Sequence, residues 1–158
     1  MKSKLYLDTS IISAYFDLKK PVRQLITQKW IEHDISNFEI YISELVLEEI
    51  DKNTDDELKT KMLRLVDDIA PVNLQITEDI NQLAELYRKN ILQHEKNDTI
   101  HLATASFYKL NIIASWNFRH IVNWKTIDVI HKINLENRNN LIEILSLENL
   151  GGDKYASI

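Results

Sequence analysis

The stretch Lys4-Leu5-Tyr6-Leu7-Asp8-Thr9-Ser10-Ile11-Ile12 decides the fold. Leu5 to Leu7 are apolar without alternation, the pattern of a short strand covered on both faces. Asp8 ends the run, and Ser10 to Phe16 continue as a short helix. A buried strand breaking straight into a helix opens a βαβ unit. In an open parallel sheet, ligands bind just beyond the carboxyl ends of the strands. A carboxylate placed there can reach a metal or substrate while its backbone stays in the core. A strand-ending Asp is also ordinary turn chemistry, so the weight of Asp8 depends on whether other acids arrive at comparable points.

Downstream, strand and helix patterns alternate. Pro21 suits the first turn of a helix, with Val22, Leu25, Ile26 and Trp30 at helical spacing. Phe38 to Ile42 is a second strand, although Ser36-x-x-Glu39 also matches a helix capping box. Ser43 is a good N-cap for a helix over Glu44 to Lys52 that turns Leu45, Val46, Glu49 and Ile50 to one side. Thr54-Asp55-Asp56-Glu57 forms a capping box for a charged helix with Leu58, Met62, Leu65 and Val66 as its stripe. A third strand over Val72 to Ile76 follows, then a helix capped by Thr77. Asp98 precedes a helix over Thr99 to Leu110. The pattern ends with a strand over Ile112 to Ser115, a helix from Phe118 to His131, an Asn-rich loop over Asn134 to Asn140, and a strand within Leu141 to Leu147. Such alternation predicts right-handed crossovers and an α/β/α sandwich around a mainly parallel sheet of four to five strands. Residues 1–150 are expected to form one domain, with 151–158 as a frayed tail.

Composition narrows the function classes. The chain has 158 residues, 44% hydrophobic and 27% charged, which suits a folded domain with a real core. It has no cysteine, so disulfides, thiolate metal sites and Cys nucleophiles are excluded. The net charge of −5 argues against a broadly basic nucleic-acid binder. It leaves room for a carboxylate site in which metal ions supply the positive charge. No apolar run is long enough for a membrane span, and Asp8 interrupts any signal-peptide core. A cytoplasmic location is expected.

Three acids fall at element junctions: Asp8, Asp98, and Glu49 one to two turns into its helix, with Glu44 and Glu48 as competitors. Asn117 lies just past the fourth strand. The ends of parallel strands meet along one edge, so these groups can converge although they are distant in sequence. Two carboxylates about 4 Å apart repel by roughly 4 kcal/mol at an effective dielectric near 20. Protonation or a bound cation relieves that repulsion. Oxygen ligands without a Cys or His cluster favour Mg²⁺ or Mn²⁺ over Zn²⁺. Such ions activate water and stabilise departing phosphodiester oxygens, so nucleic-acid hydrolysis is the predicted reaction class.

Four motifs carry a resemblance: Leu5-Tyr6-Leu7-Asp8-Thr9-Ser10, Ile42-Ser43-x5-Glu49, Asn97-Asp98-x2-His101-x-Ala103-x-Ala105 and Ser115-Trp116-Asn117-Phe118-x-His120-Ile121. In this order, over residues 4 to 124, they resemble the PIN domain, the metal-dependent ribonuclease fold of VapC-type toxins. The resemblance implies an RNA substrate, one or two Mg²⁺ or Mn²⁺ ions, an antitoxin partner and a homodimer. It puts Asp8, Glu49 and Asp98 on the family's acidic ligands and Thr9 or Ser10 on a small hydroxyl beside the first. Asn117 stands where many relatives carry a fourth acid; it can hold a metal-bound water but brings no charge and cannot act as a base.

Plainer roles stand beside these. Asp98 suits a helix N-terminus, and His101, one turn on, is either a satisfied buried side chain or an orienting one. His120 and Arg119 can contact an RNA backbone or brace a loop. Trp30, Trp116 and Trp124 can stack on bases or fill the core. Two rival functions follow. A non-catalytic PIN-like module binding RNA or protein fits Asn117 and the negative charge. A haloacid-dehalogenase-type phosphatase also opens on a strand-ending Asp, but it needs a second acid two residues later, where this chain has Ser10.

Overall fold

Among the described residues, five short parallel strands form the centre of the molecule in the order β3-β2-β1-β4-β5. The computed structural model describes residues 1–91 and 95–151, so the frayed-tail expectation, apart from Gly151, lies outside the described residues. The elements are β1 (Ser3–Leu7), α1 (Thr9–Ala14), α2 (Pro21–Lys29), β2 (Phe38–Ser43), α3 (Glu44–Asp51), α4 (Asp56–Ile69), β3 (Val72–Leu74), α5 (Glu78–Asn90), α6 (Lys96–Phe107), β4 (Ile112–Ala114), α7 (Trp124–Glu136) and β5 (Glu143–Leu145). Helices α1, α3 and α4 pack on one another, as do α5 with α6 and α7. The expected α/β/α architecture is what forms.

Strand β1 is central, and Leu5, Tyr6 and Leu7 are fully buried, as an uninterrupted apolar run requires. Burying a Leu side chain stabilises by about 2 kcal/mol, and β1 contributes two. The chain passes from β1 outward to β2 and β3, then returns to the other side of β1 for β4 and β5. That reversal makes a crevice between the carboxyl ends of β1 and β4. Register pairs Leu7 with Ala114, so Asp8 and Ser115 leave the sheet side by side.

Several local expectations are corrected. Val22 and Leu25 are exposed. Ile26 packs against the core and Trp30 is buried, as expected, but the fully buried residue of α2 is Thr27, and Trp30 opens a π-helical turn over Trp30–Asp34. Thr27 buries a hydroxyl that donates to the Arg23 carbonyl (2.7 Å) and accepts the Trp116 indole N–H (2.9 Å). Ser43 sits at the N-cap of α3 without a side-chain capping bond; its hydroxyl pairs with the Tyr6 hydroxyl instead (2.8 Å). Asp55, not Thr54, caps α4. Ser36-x-x-Glu39 caps nothing, because Phe38 already begins β2 and Glu39 accepts from the Tyr41 hydroxyl.

Helix α6 begins at Lys96, so Asp98 lies in its first turn rather than before it. Helix α7 begins at Trp124, later than expected, because Asn123 is its N-cap and accepts from the Thr126 N–H (2.9 Å). The Asn-rich run is not all loop: Asn134 to Glu136 are helical. Asn134 is fully buried, accepting from the Tyr87 hydroxyl and donating to Ser106 Oγ (3.0 Å) and the Asn140 carbonyl (2.8 Å). Among the described residues, no helix is long and apolar enough to cross a membrane.

Candidate active site

Asp8 is buried where β1 meets α1, and it caps that helix: its Oδ1 accepts the Ser10 N–H (3.0 Å) and the Ser10 hydroxyl (2.5 Å). Its Oδ2 accepts the Ser115 hydroxyl (2.5 Å) from the end of β4. A carboxylate oxygen has two lone pairs, so Oδ1 is filled and Oδ2 keeps one free. Burial pushes the Asp8 carboxyl above its ordinary value, against the charge of His101 and the two serine hydroxyls, and Glu49 adds to the rise.

Glu49 points inward from the second turn of α3, whereas Glu48 is exposed. Glu44 turns elsewhere, accepting the Ile76 N–H (2.8 Å). Glu49 Oε1 accepts the Thr9 hydroxyl (2.8 Å) and the His101 Nε2–H (2.5 Å). Among the described residues, Oε2 has only a long contact to the Asn97 amide (3.5 Å). Desolvation works to raise the Glu49 carboxyl, but the hydrogen bond and charge of His101, with Thr9 and Asn97, outweigh it and hold the group below its usual range. His101 is itself anchored: its Nδ1 lies 2.6 Å from the Tyr6 hydroxyl, which in turn meets Ser43. The buried chain Ser43–Tyr6–His101–Glu49 thus runs from the sheet into the site. Burial lifts the Tyr6 phenol far above its ordinary value, so it stays neutral.

Asp98, from α6, accepts the Asn117 amide on Oδ1 (3.2 Å). Among the described residues its Oδ2 has no hydrogen-bond partner. Its carboxyl is pushed up to about 6, first by desolvation and then by the charges of Asp8 and Glu95, against the pull of His120 and His101. Asn117 is fixed in turn: its N–H donates to Ser115 Oγ (2.9 Å) and its Oδ1 accepts the His120 N–H (2.9 Å). Arg119 is exposed on the same loop, and His120 is half-buried.

The four candidates named from sequence therefore share one edge and one field. Asp8 raises Asp98, and Glu49 raises Asp8. Among the described residues, each acid keeps one oxygen with room to accept: Asp8 Oδ2, Glu49 Oε2 and Asp98 Oδ2. The donor chemistry, three hard carboxylate oxygens without sulfur, fits Mg²⁺ or Mn²⁺. In this arrangement, however, no three His, Cys, Asp or Glu groups among the described residues stand together as a ready cage. Occupancy would require the carboxylates to rotate toward one another. Thr9 and Ser10 direct their hydroxyls to the acids. Sequence reasoning missed Ser115, Ser43 and Tyr6 as site-builders. The β1–β4 register was the signal for Ser115, and it becomes visible only once the strands pair.

Residues 5–120 match the PIN domain family model, and the chain belongs to that family. Among solved structures it is similar to VapC20 of Mycobacterium tuberculosis, described as a sarcin–ricin-loop-cleaving toxin. The TM-score is 0.58 at 13% identity, over 73% of this chain and 92% of that one. It is also similar to VapBC2 from Rickettsia felis, solved bound to a DNA fragment from its promoter. There the TM-score is 0.56 at 13% identity, over 90% of this chain and 97% of that one. At such identity the likeness is one of fold. No curated protein matches in sequence.

Proposed function

We propose that this chain is a Mg²⁺- or Mn²⁺-dependent endoribonuclease and the toxin of a toxin–antitoxin pair. One observation carries the reading: at the sheet's carboxyl edge the charge of Glu49 raises Asp8 and that of Asp8 raises Asp98, three acids from separate elements, and among the described residues each keeps an oxygen with room to accept. Those oxygens would hold the ion, and when bound it would supply an activated water and stabilise the departing oxygen. The protein's own part is positioning. Ser10 and Ser115 lock Asp8, Thr9 and His101 lock Glu49, and Asn117 orients Asp98. Thr9 and Ser10 thus serve the substrate through the acids they hold, while Arg119 offers positive charge, and His120 a ring hydrogen bond, to the RNA backbone.

The toxin reading draws on family membership and on the VapC proteins that share the fold. It implies a cytoplasmic homodimer whose antitoxin silences the edge, for instance by placing Arg or Lys against Asp8 and Asp98. The test is cleavage of labelled RNA with Mn²⁺ and with chelator, using Asp8→Asn and Glu49→Gln beside the wild type. Loss of activity by ~100-fold or more in chelator and in each variant supports the reading. Cleavage that survives both rejects it. A non-catalytic RNA- or protein-binding module is favoured by Asn117 at the fourth corner. Calorimetry showing partner binding but no millimolar Mn²⁺ binding would select that alternative.

A further inference from the structure

The guanidinium of Arg23, on α2, stacks over the Trp116 ring (5.1 Å) and the Phe118 ring (5.6 Å). These two rings meet edge to face at 6.1 Å. Among the described residues Arg23 forms no salt bridge, and it is only half-buried. In a protein of net charge −5, this cation is held in place by aromatic faces rather than by a carboxylate, which leaves its charge available to an anionic ligand. Its platform is rigid. Trp116 is buried, its indole N–H is donated to Thr27 Oγ1 (2.9 Å), and its backbone N–H is donated to Ser10 Oγ (2.8 Å). Ser10 Oγ is the same hydroxyl that holds Asp8. Between Trp116 and Phe118 stands Asn117, bonded to Asp98. The stack is therefore two hydrogen bonds from one candidate acid and one residue from the partner of another.

Beside it opens a cleft of about 300 Å³ lined by Lys20, Val22, Ile26, Trp116 and Glu148, at the small end for a ligand site. At the start of α7, Lys125 lies over the exposed Trp124 ring (5.7 Å). Guanidinium planes and aromatic rings are the groups on which unstacked bases settle, and the cation faces the phosphates.

Resting on the nuclease reading above, we propose that Arg23, carried by Trp116 and Phe118, is a binding subsite for single-stranded RNA that feeds the strand to the acidic edge. Trp116 itself is too buried to stack on a base; it presents Arg23, and Phe118, exposed at its rim, extends the surface.

The test is fluorescence anisotropy of a short labelled single-stranded RNA in chelator, where cleavage cannot intervene. It compares wild type, Arg23→Ala, Arg23→Lys and Phe118→Ala, with thermal melts to confirm folding. Arg23→Ala is expected to weaken binding roughly tenfold and to reduce the slope of log affinity against log salt by about 0.7. Arg23→Lys should restore the salt slope but not the affinity, because an ammonium does not stack as a plane. Phe118→Ala should weaken binding with the slope unchanged. Equal binding by folded Arg23→Ala overturns the proposal, as does full affinity in Arg23→Lys or no RNA binding by the wild type. So does an Arg23→Ala defect confined to self-association or protein-partner binding. RNA binding that depends on Arg23 in a protein that never cleaves would keep this subsite and reject the nuclease. Cleavage with unaltered Arg23→Ala binding would do the reverse.

Discussion

Replacing Asp98 with Asn should make the metal-free protein more stable while removing its activity. In the folded chain the Asp98 carboxyl is lifted from 3.8 to about 6. At 1.36 kcal/mol per pH unit, ionisation there opposes folding by at most about 3 kcal/mol. Solvent screening of a half-buried group lowers that figure. Asp98 also lies in the first turn of α6, where its charge returns about 0.3–1 kcal/mol through the helix dipole. The expected net gain for Asp98→Asn is about 1–2 kcal/mol. The variant keeps an oxygen to accept from Asn117, so the fold loses no hydrogen bond.

The sign follows from linkage. Between pH 3.8 and about 6 the folded state holds the Asp98 proton and the unfolded state has released it, so wild-type stability falls as pH rises through that window. The advantage of Asp98→Asn should be absent near about pH 3.5, open across the window, and level off above about pH 7. For a chain of this size, 1 kcal/mol moves the Tm by about 2–4 °C, so thermal melts in chelator should show a rise of roughly 2–8 °C at neutral pH. Millimolar Mn²⁺ should raise the wild-type Tm and narrow the gap, since a cation bound only to the folded state stabilises it. A neutral-pH Tm that falls in Asp98→Asn, or a difference that does not change with pH, would show that Asp98 is not held under electrostatic strain.

Two further substitutions test the supports. Tyr6→Phe strands Ser43 Oγ and His101 Nδ1 in the core, which should destabilise by about 1–3 kcal/mol. It should also lower the RNA-cleavage kcat more than it changes KM, because Glu49 loses its anchored partner; unchanged kcat would make the chain merely structural. Asn134→Ala removes acceptor and donor at once from the Tyr87–Asn134–Ser106 group. Chemical denaturation should then show a loss of about 2–3 kcal/mol with no change in metal binding. A loss under about 0.5 kcal/mol would mean that the network is not formed.

The layer architecture was legible because β1 carries an unbroken apolar run and every later strand is bounded by turn or capping residues. Asp8 and Asp98 were legible as junction acids. Glu49 was separated from Glu48 by its helical phase with Leu45, Val46 and Ile50, and the burial of α3 bears that phase out. Less legible was anything in which a polar side chain does the work of an apolar one. Thr27 and Asn134 are fully buried, but a hydrophobic-period reading passes over Thr27 and an Asn-rich run reads as loop, so half the α2 row and the end of α7 were misassigned. Ser43 has the composition of a cap, but across the sheet the Tyr6 hydroxyl competes for it and wins. Ser115 opens one of the sequence motifs, but nothing local shows that its hydroxyl holds Asp8, because that partner lies 107 residues away. Arg23 was invisible for the same reason: its aromatic partners follow β4 and reach α2 only in the folded chain.

The central claim is that three acids from three elements hold one catalytic ion. Crystals grown with Mn²⁺ and measured at its absorption edge test that claim directly. The account predicts an anomalous peak between Asp8 Oδ2, Glu49 Oε2 and Asp98 Oδ2, at about 2.0–2.3 Å from each oxygen that binds, lost in Asp8→Asn. A well-ordered edge with no peak at millimolar Mn²⁺, or a peak that persists in Asp8→Asn, would contradict it.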